Sequence, residues 1–167
     1  RAQLGPGKRM LDTGAFVGAS ARSAAEATGC DAFASDLNLD FLAAGREMPG
    51  GAGVRWVAAD SGRLPFPDGQ FQSVWAMDTY ISVRELSRVA APAEATLCLN
   101  CEVPTDARGG AEAFIDEWAE YGWQLAGHKD MSNDATVTWR TAEAEMVRRR
   151  PFFEDRYGTR PYLRQLD

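Results

Sequence analysis

The chain has 167 residues, a length that suits one compact domain with a hydrophobic core. It is 45% hydrophobic and 25% charged, which is typical of a soluble globular protein. Its net charge of −6 argues against a nucleic acid as the partner, because a surface that follows phosphates carries an excess of basic residues.

Segments with the patterns of strands and helices alternate along the chain. We predict strands at residues 8–12, 31–36, 54–60, 73–77 and 95–101, and helices at residues 18–28, 39–47, 84–91 and 111–121. Towards the C-terminus we predict a further strand at 134–140 and a late helix at 141–150. This alternation predicts an α/β fold, with a Rossmann-like, doubly wound and mostly parallel sheet that has helices on both faces. We expect a single domain over residues 1–167.

The three cysteines indicate the redox environment in which the protein works. An odd number does not build a disulfide framework, so we expect a reducing, cytoplasmic environment. Cys98 and Cys101 form a C-x-x-C pair, but it lies inside a predicted strand and has no second pair beside it, so we expect neither a zinc site nor a redox role. No apolar run has the length of a spanning helix, and we expect no membrane span.

Four aspartates, Asp12, Asp36, Asp60 and Asp78, come at or just after the ends of predicted strands. In an open parallel sheet, ligands bind beyond the carboxyl ends of the strands, where the strand order reverses. We therefore expect these carboxylates at the ligand-binding edge. Asp36 follows Gly14 by 22 residues, near the spacing at which an acid binds a ribose diol, and Asp60 could accept the exocyclic amine of an adenine. The set indicates an adenosine with a further group attached.

The glycine turn after the first strand indicates which group is attached to the adenosine. Gly14 can take the positive φ of a sharp strand-to-helix turn, and Gly18 lets the next helix pack closely. A pyrophosphate favours G-x-G-x-x-G, but here Phe16 replaces the middle glycine and Asp12 precedes the turn. A carboxylate repels phosphate and attracts an ammonium group, so the charges favour a methionine arm over a nicotinamide cofactor. We expect an ordinary backbone conformation at Phe16, with its ring over the arm or under the turn.

The chain resembles the class I S-adenosylmethionine-dependent methyltransferases, in the branch of ubiquinone, sterol, tocopherol and many natural-product enzymes. The family's first motif corresponds to Asp12, Gly14 and Gly18, and its second-strand acid to Asp36. The stretches AADSGRLPFPDGQFQSVWAM and RELSRVAAPAEATLCLN resemble the segments that follow. The resemblance implies S-adenosylmethionine as cofactor and S-adenosylhomocysteine as product. It implies a cofactor site formed by Asp12, Gly14, Ala15, Phe16, Gly18, Asp36, Leu37, Asp60, Ser61 and Met77.

The sequence also departs from the family pattern. Phe16 replaces the middle glycine, Gln72 replaces the usual aspartate before the fourth strand, and Ala93-Glu94 replaces a glycine pair. The spans at 80–84 and 103–111 are shorter than in the family, and the sequence starts almost at its first strand. We therefore expect an N-terminal helix and part of the acceptor cap to be missing from this sequence.

Methyl transfer is an in-line displacement, and it needs a general base only when the acceptor must lose a proton. Candidates for contact with the acceptor or for the base are Asp78 and Tyr80, which follow the fourth predicted strand, and the sole histidine, His128. An aromatic-rich C-terminal half favours a small hydrophobic or aromatic acceptor, such as a specialised metabolite. Its aromatic residues are Trp118, Trp123, Trp139, Phe152, Phe153, Tyr157 and Tyr162. We expect no metal ion in the site. The sequence is compatible with a homo-oligomer and does not decide the oligomeric state.

Other function classes remain beside the small-molecule methyltransferase. One is a protein of the same fold that binds the cofactor without methylating, as a regulatory partner or a cyclase-type enzyme. Another is a nicotinamide oxidoreductase, which the turn from Asp12 to Phe16 argues against. The last is a decayed site that no longer binds a cofactor.

Overall fold

The computed structural model describes residues 4–102 and 110–157. Tyr162 and residues 103–109 of the shortened span lie outside these ranges. The chain forms two compact units, Arg1–Gln124 and Leu125–Asp167, and each is described by itself.

The first unit contains a five-stranded sheet. Its strands are β1 (Arg9–Thr13), β2 (Asp31–Asp36), β3 (Val54–Ala58), β4 (Ser73–Met77) and β5 (Thr96–Asn100). The strand order is β3-β2-β1-β4-β5 and every neighbouring pair is parallel. The order therefore reverses between β1 and β4, as in a doubly wound fold. The predicted fold class is confirmed.

Helices connect these strands on both faces of the sheet. Those between strands are α1 (Ala19–Thr28), α2 (Leu39–Glu47) and α3 (Val83–Val89), whereas α4 (Gly110–Glu120) follows β5 and a short 3-10 turn spans Gly51–Gly53. Gly29 ends α1 as predicted, because it adopts a φ of 69° and its N–H donates to the carbonyl of Ala25. Asn38 begins α2, because its side chain accepts from the N–H groups of Asp40 and Phe41.

The core of the first unit has two layers, one on each face of the sheet. One layer contains Leu11, Val74 and Ala76 of the strands, residues of α3, and Trp118 of α4. The other contains Met10, Ala32 and Ala34 of the strands and Ala21 and Ala24 of α1. Because side chains alternate along a strand, neighbouring residues such as Met10 and Leu11 serve opposite layers.

The second unit contains α5 (Ser132–Arg148) and α6 (Arg150–Tyr157). The strand predicted at 134–140 is wrong, since α5 covers this segment, whereas the helix predicted at 141–150 is largely correct. The segment contains three consecutive β-branched residues, Thr136 to Thr138, but the hydroxyls of Thr136, Thr138 and Thr141 each donate to a carbonyl four residues earlier in the helix. No residue of α5 is buried, so the segment lacks the half-buried face that a strand pattern requires.

Within the described ranges, none of the helices combines the length and the apolar character needed to cross a membrane.

Candidate functional site

A crevice of about 200 Å³ opens where β1, β2, β3 and β4 end at the carboxyl edge of the sheet. It is lined by Gly14, Asp36, Leu37, Asp60, Ser61, Thr79 and Tyr80. The point of strand-order reversal lies between β1 and β4, so the crevice occupies the usual ligand position of this architecture. All of the lining residues except Thr79 were singled out in the sequence.

The turn after β1 is built on two glycines in left-handed conformations. Gly14 has a φ of 63° and Gly18 a φ of 65°, as a sharp strand-to-helix turn requires. A Cβ on Gly14 would clash with the Thr79 side chain, and one on Gly18 would clash with the ring of Trp56. The two glycines therefore allow close approach as well as unusual backbone angles. Thr79 had no signal of its own in the sequence; its contact with Gly14 identifies it.

Phe16 departs from its predicted conformation. Its φ is 53°, a left-handed value that costs a residue with a side chain about 1 kcal/mol. Two contacts hold it there: its N–H donates to Asp36 Oδ2 at 2.8 Å, and its ring meets the ring of Phe41 edge-on with centroids 4.3 Å apart. The ring is 54% exposed, so it is not packed under the turn.

Asp36 is held in place by the backbone around it. Its Oδ2 accepts from the N–H of Phe16 and its Oδ1 accepts from the N–H of Asn38, both at 2.8 Å. A carboxylate has about four acceptor positions, so each oxygen can accept one more hydrogen bond from the crevice. This geometry suits a pair of neighbouring hydroxyls.

Asp60 and Ser61 form the opposite part of the crevice, after β3. Asp60 Oδ1 accepts from the N–H of Gly62 at 2.8 Å, and the N–H of Arg63 donates to the Asp60 carbonyl at 2.9 Å. These bonds close a tight turn. The Ser61 hydroxyl lies 2.7 Å from Thr13 Oγ1, at the end of β1.

Asp12 does not line the crevice. It is 2% exposed and accepts a hydrogen bond from the N–H of Ala21, in the first turn of α1. Burial raises the pKa of Asp12 to about 7; the Ala21 hydrogen bond opposes this rise, and the nearby charge of Asp36 adds to it. The carboxyl group therefore changes its protonation state near neutral pH.

The other predicted site residues lie outside the lining of the crevice. Ala15 is buried and its N–H donates to the carbonyl of Ser35 at 2.9 Å, while Met77 is half-buried at the end of β4. Asp78 is exposed with a φ of 52°, and its N–H donates to the carbonyl of Asn100. His128 is exposed in the second unit, so its part in the site stays a prediction.

A larger groove of about 580 Å³ runs along α1, β4 and β5. Its lining is mostly apolar and includes Ala24, Trp75 and Leu97, but none of the strand-end aspartates. Within residues 4–102 and 110–157, His, Cys, Asp and Glu side chains form no group of three that could hold a metal ion. The polar groups that can orient a ligand converge on the smaller crevice.

Comparisons with known proteins agree with the predicted resemblance to methyltransferases. A family model described as a methyltransferase domain matches residues 10–100. The chain is 31% identical over 125 residues to a demethylmenaquinone methyltransferase of Mycobacterium sp. (strain KMS), which covers 71% of this chain and 50% of that protein. The crystal structure of a putative sarcosine dimethylglycine methyltransferase from Galdieria sulphuraria has a TM-score of 0.83 at 14% identity, covering 98% of this chain and 71% of that chain. The [4+2]-cyclase SpnF has a TM-score of 0.74 at 24% identity, covering 93% of this chain and 65% of that chain.

The family match and the coverage of the relatives show which part of the chain is similar to known methyltransferases. The family match runs from β1 to the end of β5 and so includes the whole sheet and its crevice. The chain spans about half the length of the curated relative it matches. The two structural likenesses are below 25% identity and show the fold alone. The chain belongs to the methyltransferase-domain family and falls within the class I S-adenosylmethionine-dependent group, in its ubiquinone- and tocopherol-like branch.

Proposed function

We propose that the crevice at the end of the sheet binds S-adenosylmethionine and that the protein transfers its methyl group to a small hydrophobic or aromatic acceptor, such as a specialised metabolite. The observation that carries the proposal is the bond from the Phe16 N–H to Asp36. A dinucleotide site needs the N–H groups of its glycine turn for pyrophosphate. Here a carboxylate uses the N–H at the middle position, and a second carboxyl, Asp12, lies close to it.

The positions of the lining residues suggest how the cofactor lies. Asp36 binds the ribose hydroxyls, Asp60 accepts the amino group of the adenine, and the methionine arm follows the turn at Gly14. Leu37 is 72% exposed beside the adenine position and provides an apolar surface for the base. The crevice volume is about 200 Å³, and its lining carries both the carboxylates and the apolar groups that this arrangement uses.

The residues after β4 lie on the side from which the methyl group would leave. Tyr80 lines the crevice and is 68% exposed, and Thr79 and Asp78 flank it in the chain. In the transfer, a nucleophilic atom of the acceptor forms a bond to the methyl carbon while the bond from carbon to sulfur breaks, which leaves S-adenosylhomocysteine. The protein's contribution is alignment and the exclusion of water. Asp78 or Tyr80 is our candidate for the group that takes a proton from an acceptor that must lose one, with His128 as a further candidate.

The exposed apolar groups at this edge support an apolar acceptor. Phe16 and Tyr80 each expose more than half of their surface at the carboxyl end of the sheet. Trp118, in contrast, belongs to the core. An aromatic or aliphatic acceptor would cover the exposed groups on binding.

Calorimetry with S-adenosylmethionine, S-adenosylhomocysteine and NAD tests the choice of cofactor. We expect both sulfur compounds to bind and NAD not to bind; the reverse would overturn the proposal. Incubation with cofactor labelled in its methyl group and a panel of aromatic acceptors then tests the transfer itself. Because the same fold occurs in a cyclase, binding without label transfer to any acceptor would favour a protein that uses the cofactor without methylating.

A further inference from the structure

A hydrogen bond between two hydroxyl groups joins the end of β1 to the turn after β3, two segments that are not neighbours in the sheet. Thr13 is the last residue of β1 and is fully buried, and Ser61 lies in the turn after β3. Their hydroxyl oxygens are 2.7 Å apart. Because β2 lies between β1 and β3 in the sheet, this bond passes across the end of β2.

Backbone hydrogen bonds connect the end of β2 to the segments on each side of it. The N–H of Ala15 donates to Ser35 at 2.9 Å, and the N–H of Ala59 donates to Asp36 at 3.0 Å. Both bonds end before the Asp60 turn begins. The bond from Thr13 to Ser61 reaches into that turn, at the residue next to Asp60.

The Asp60 turn behaves as a unit because its own hydrogen bonds close it. The Gly62 N–H holds Asp60 Oδ1, and the Arg63 N–H holds the Asp60 carbonyl. A bond to Ser61 therefore positions the Asp60 carboxylate together with its turn. Since Thr13 is fully buried, water cannot readily replace its partner. Breaking this hydrogen bond therefore costs more free energy than breaking one between exposed groups.

We propose that the hydroxyl pair of Thr13 and Ser61 is a positioning device that holds the Asp60 turn at the distance from Asp36 needed to read the amino group of the adenine. The proposal rests on the proposed function. A ribose held by Asp36 fixes one end of the nucleoside, so recognition of its base depends on where the Asp60 turn lies relative to that end. A loosened turn would still allow the ribose to bind but would distinguish bases poorly.

The test compares two ligands across a set of variants of the full chain. The ligands are S-adenosylhomocysteine and its inosine analogue, in which an oxygen replaces the 6-amino group, and calorimetry gives the affinity ratio. Thr13→Val removes the hydroxyl at nearly constant size, Thr13→Ser keeps it, and Ser61→Ala removes the other partner. Thr28→Val is the matched control, because Thr28 bonds within α1 to the Ala24 carbonyl and does not line the crevice.

We expect the wild-type preference for the adenine compound to fall about tenfold in Thr13→Val and in Ser61→Ala. Thr13→Ser and Thr28→Val should keep the preference, and the double variant should lose no more than either single variant. An unchanged ratio in Thr13→Val, or an equal loss for both ligands, would overturn the inference while leaving the proposed function intact. If Thr13→Val does not fold, Ser61→Ala gives the same decision from the half-buried end of the bond, with Thr13→Ser as the variant that keeps the hydroxyl. Failure of the wild-type protein to bind either ligand would instead overturn the proposed function, and the inference with it.

Discussion

Asp36 combines two properties that a ligand-binding carboxylate needs. The N–H groups of Phe16 and Asn38 orient its oxygens, and the carboxylate keeps acceptor capacity towards the crevice. Because the orientation is set before the ligand arrives, binding loses less conformational entropy.

Asp36→Asn should lower the affinity for S-adenosylhomocysteine by about tenfold to a hundredfold, because a hydrogen bond to a charged acceptor contributes about 1.5–3 kcal/mol. Calorimetry measures the change. Asp40→Asn is the control, since Asp40 is an exposed carboxylate on α2 that does not line the crevice. Equal affinities of Asp36→Asn and the wild type would place the ribose elsewhere.

The ionisation of Asp12 makes the free energy of unfolding depend on pH. Burial raises its pKa from 3.8 to about 7, so between these values the folded chain holds a proton that the unfolded chain has released. The free energy of unfolding therefore falls as the pH rises through this window, and Asp12 contributes no further change above it.

Asp12→Asn should remove this slope, because an amide of the same shape does not ionise. The variant should match the wild type near pH 4 and exceed its free energy of unfolding by on the order of 2–4 kcal/mol at pH 8. Urea unfolding at several pH values measures this difference. An Asp12→Asn variant with the wild-type pH dependence would show that Asp12 ionises at its ordinary pKa.

Arg88 of α3 fixes the loop between β3 and β4. Its guanidinium donates to the carbonyls of Leu64 and Phe66 and to the carboxylates of Asp68 and Glu85. Hydrogen bonds from Arg88 hold the pKa of Glu85 below its usual range, and Glu85 accepts from the Leu64 N–H in turn. The fork of the guanidinium is what allows one side chain to serve several acceptors.

Arg88→Ala should lower the free energy of unfolding by about 2 kcal/mol, because several loop acceptors lose a charged donor that is partly shielded from solvent. Arg88→Lys should recover little of this loss, since an ammonium group lacks the planar fork. Chemical unfolding measures both, with Arg84→Ala, an exposed arginine of the same helix, as the control. If Arg84→Ala and Arg88→Ala cost the same, the guanidinium contacts do not stabilise the loop.

The regular elements of the first unit could largely be predicted because local signals agree with the tertiary packing. The bounds predicted for β2, α2 and β4 match the structure, with Asn38 beginning α2 and buried apolar residues forming β4. The strand predicted at 134–140 is wrong because β-branched residues favour a strand only where a sheet pairs with them, and α5 covers this segment.

The site was predictable to the extent that it follows strand ends. Asp36 and Asp60 line the crevice as the pattern indicated, whereas Asp12 is buried beside α1. Two features depend on contacts between distant segments and had no local signal: the Thr79 side chain against Gly14, and the left-handed backbone at Phe16 held by Asp36.

For the whole molecule, the fold explains why acidic groups meet at one edge. Parallel strands all end at the same side of the sheet, so carboxylates placed at successive strand ends converge there. In a chain of net charge −6, this edge attracts a cationic ligand and repels a diphosphate.

A crystal structure of the protein with S-adenosylhomocysteine would show whether the ligand occupies the crevice at the end of the sheet. We expect the ribose hydroxyls within hydrogen-bonding distance of Asp36, the adenine amine at Asp60 and the amino-acid arm along Gly14. A nucleoside bound in the apolar groove beside α1, or bound with its ribose away from Asp36, would contradict this expectation.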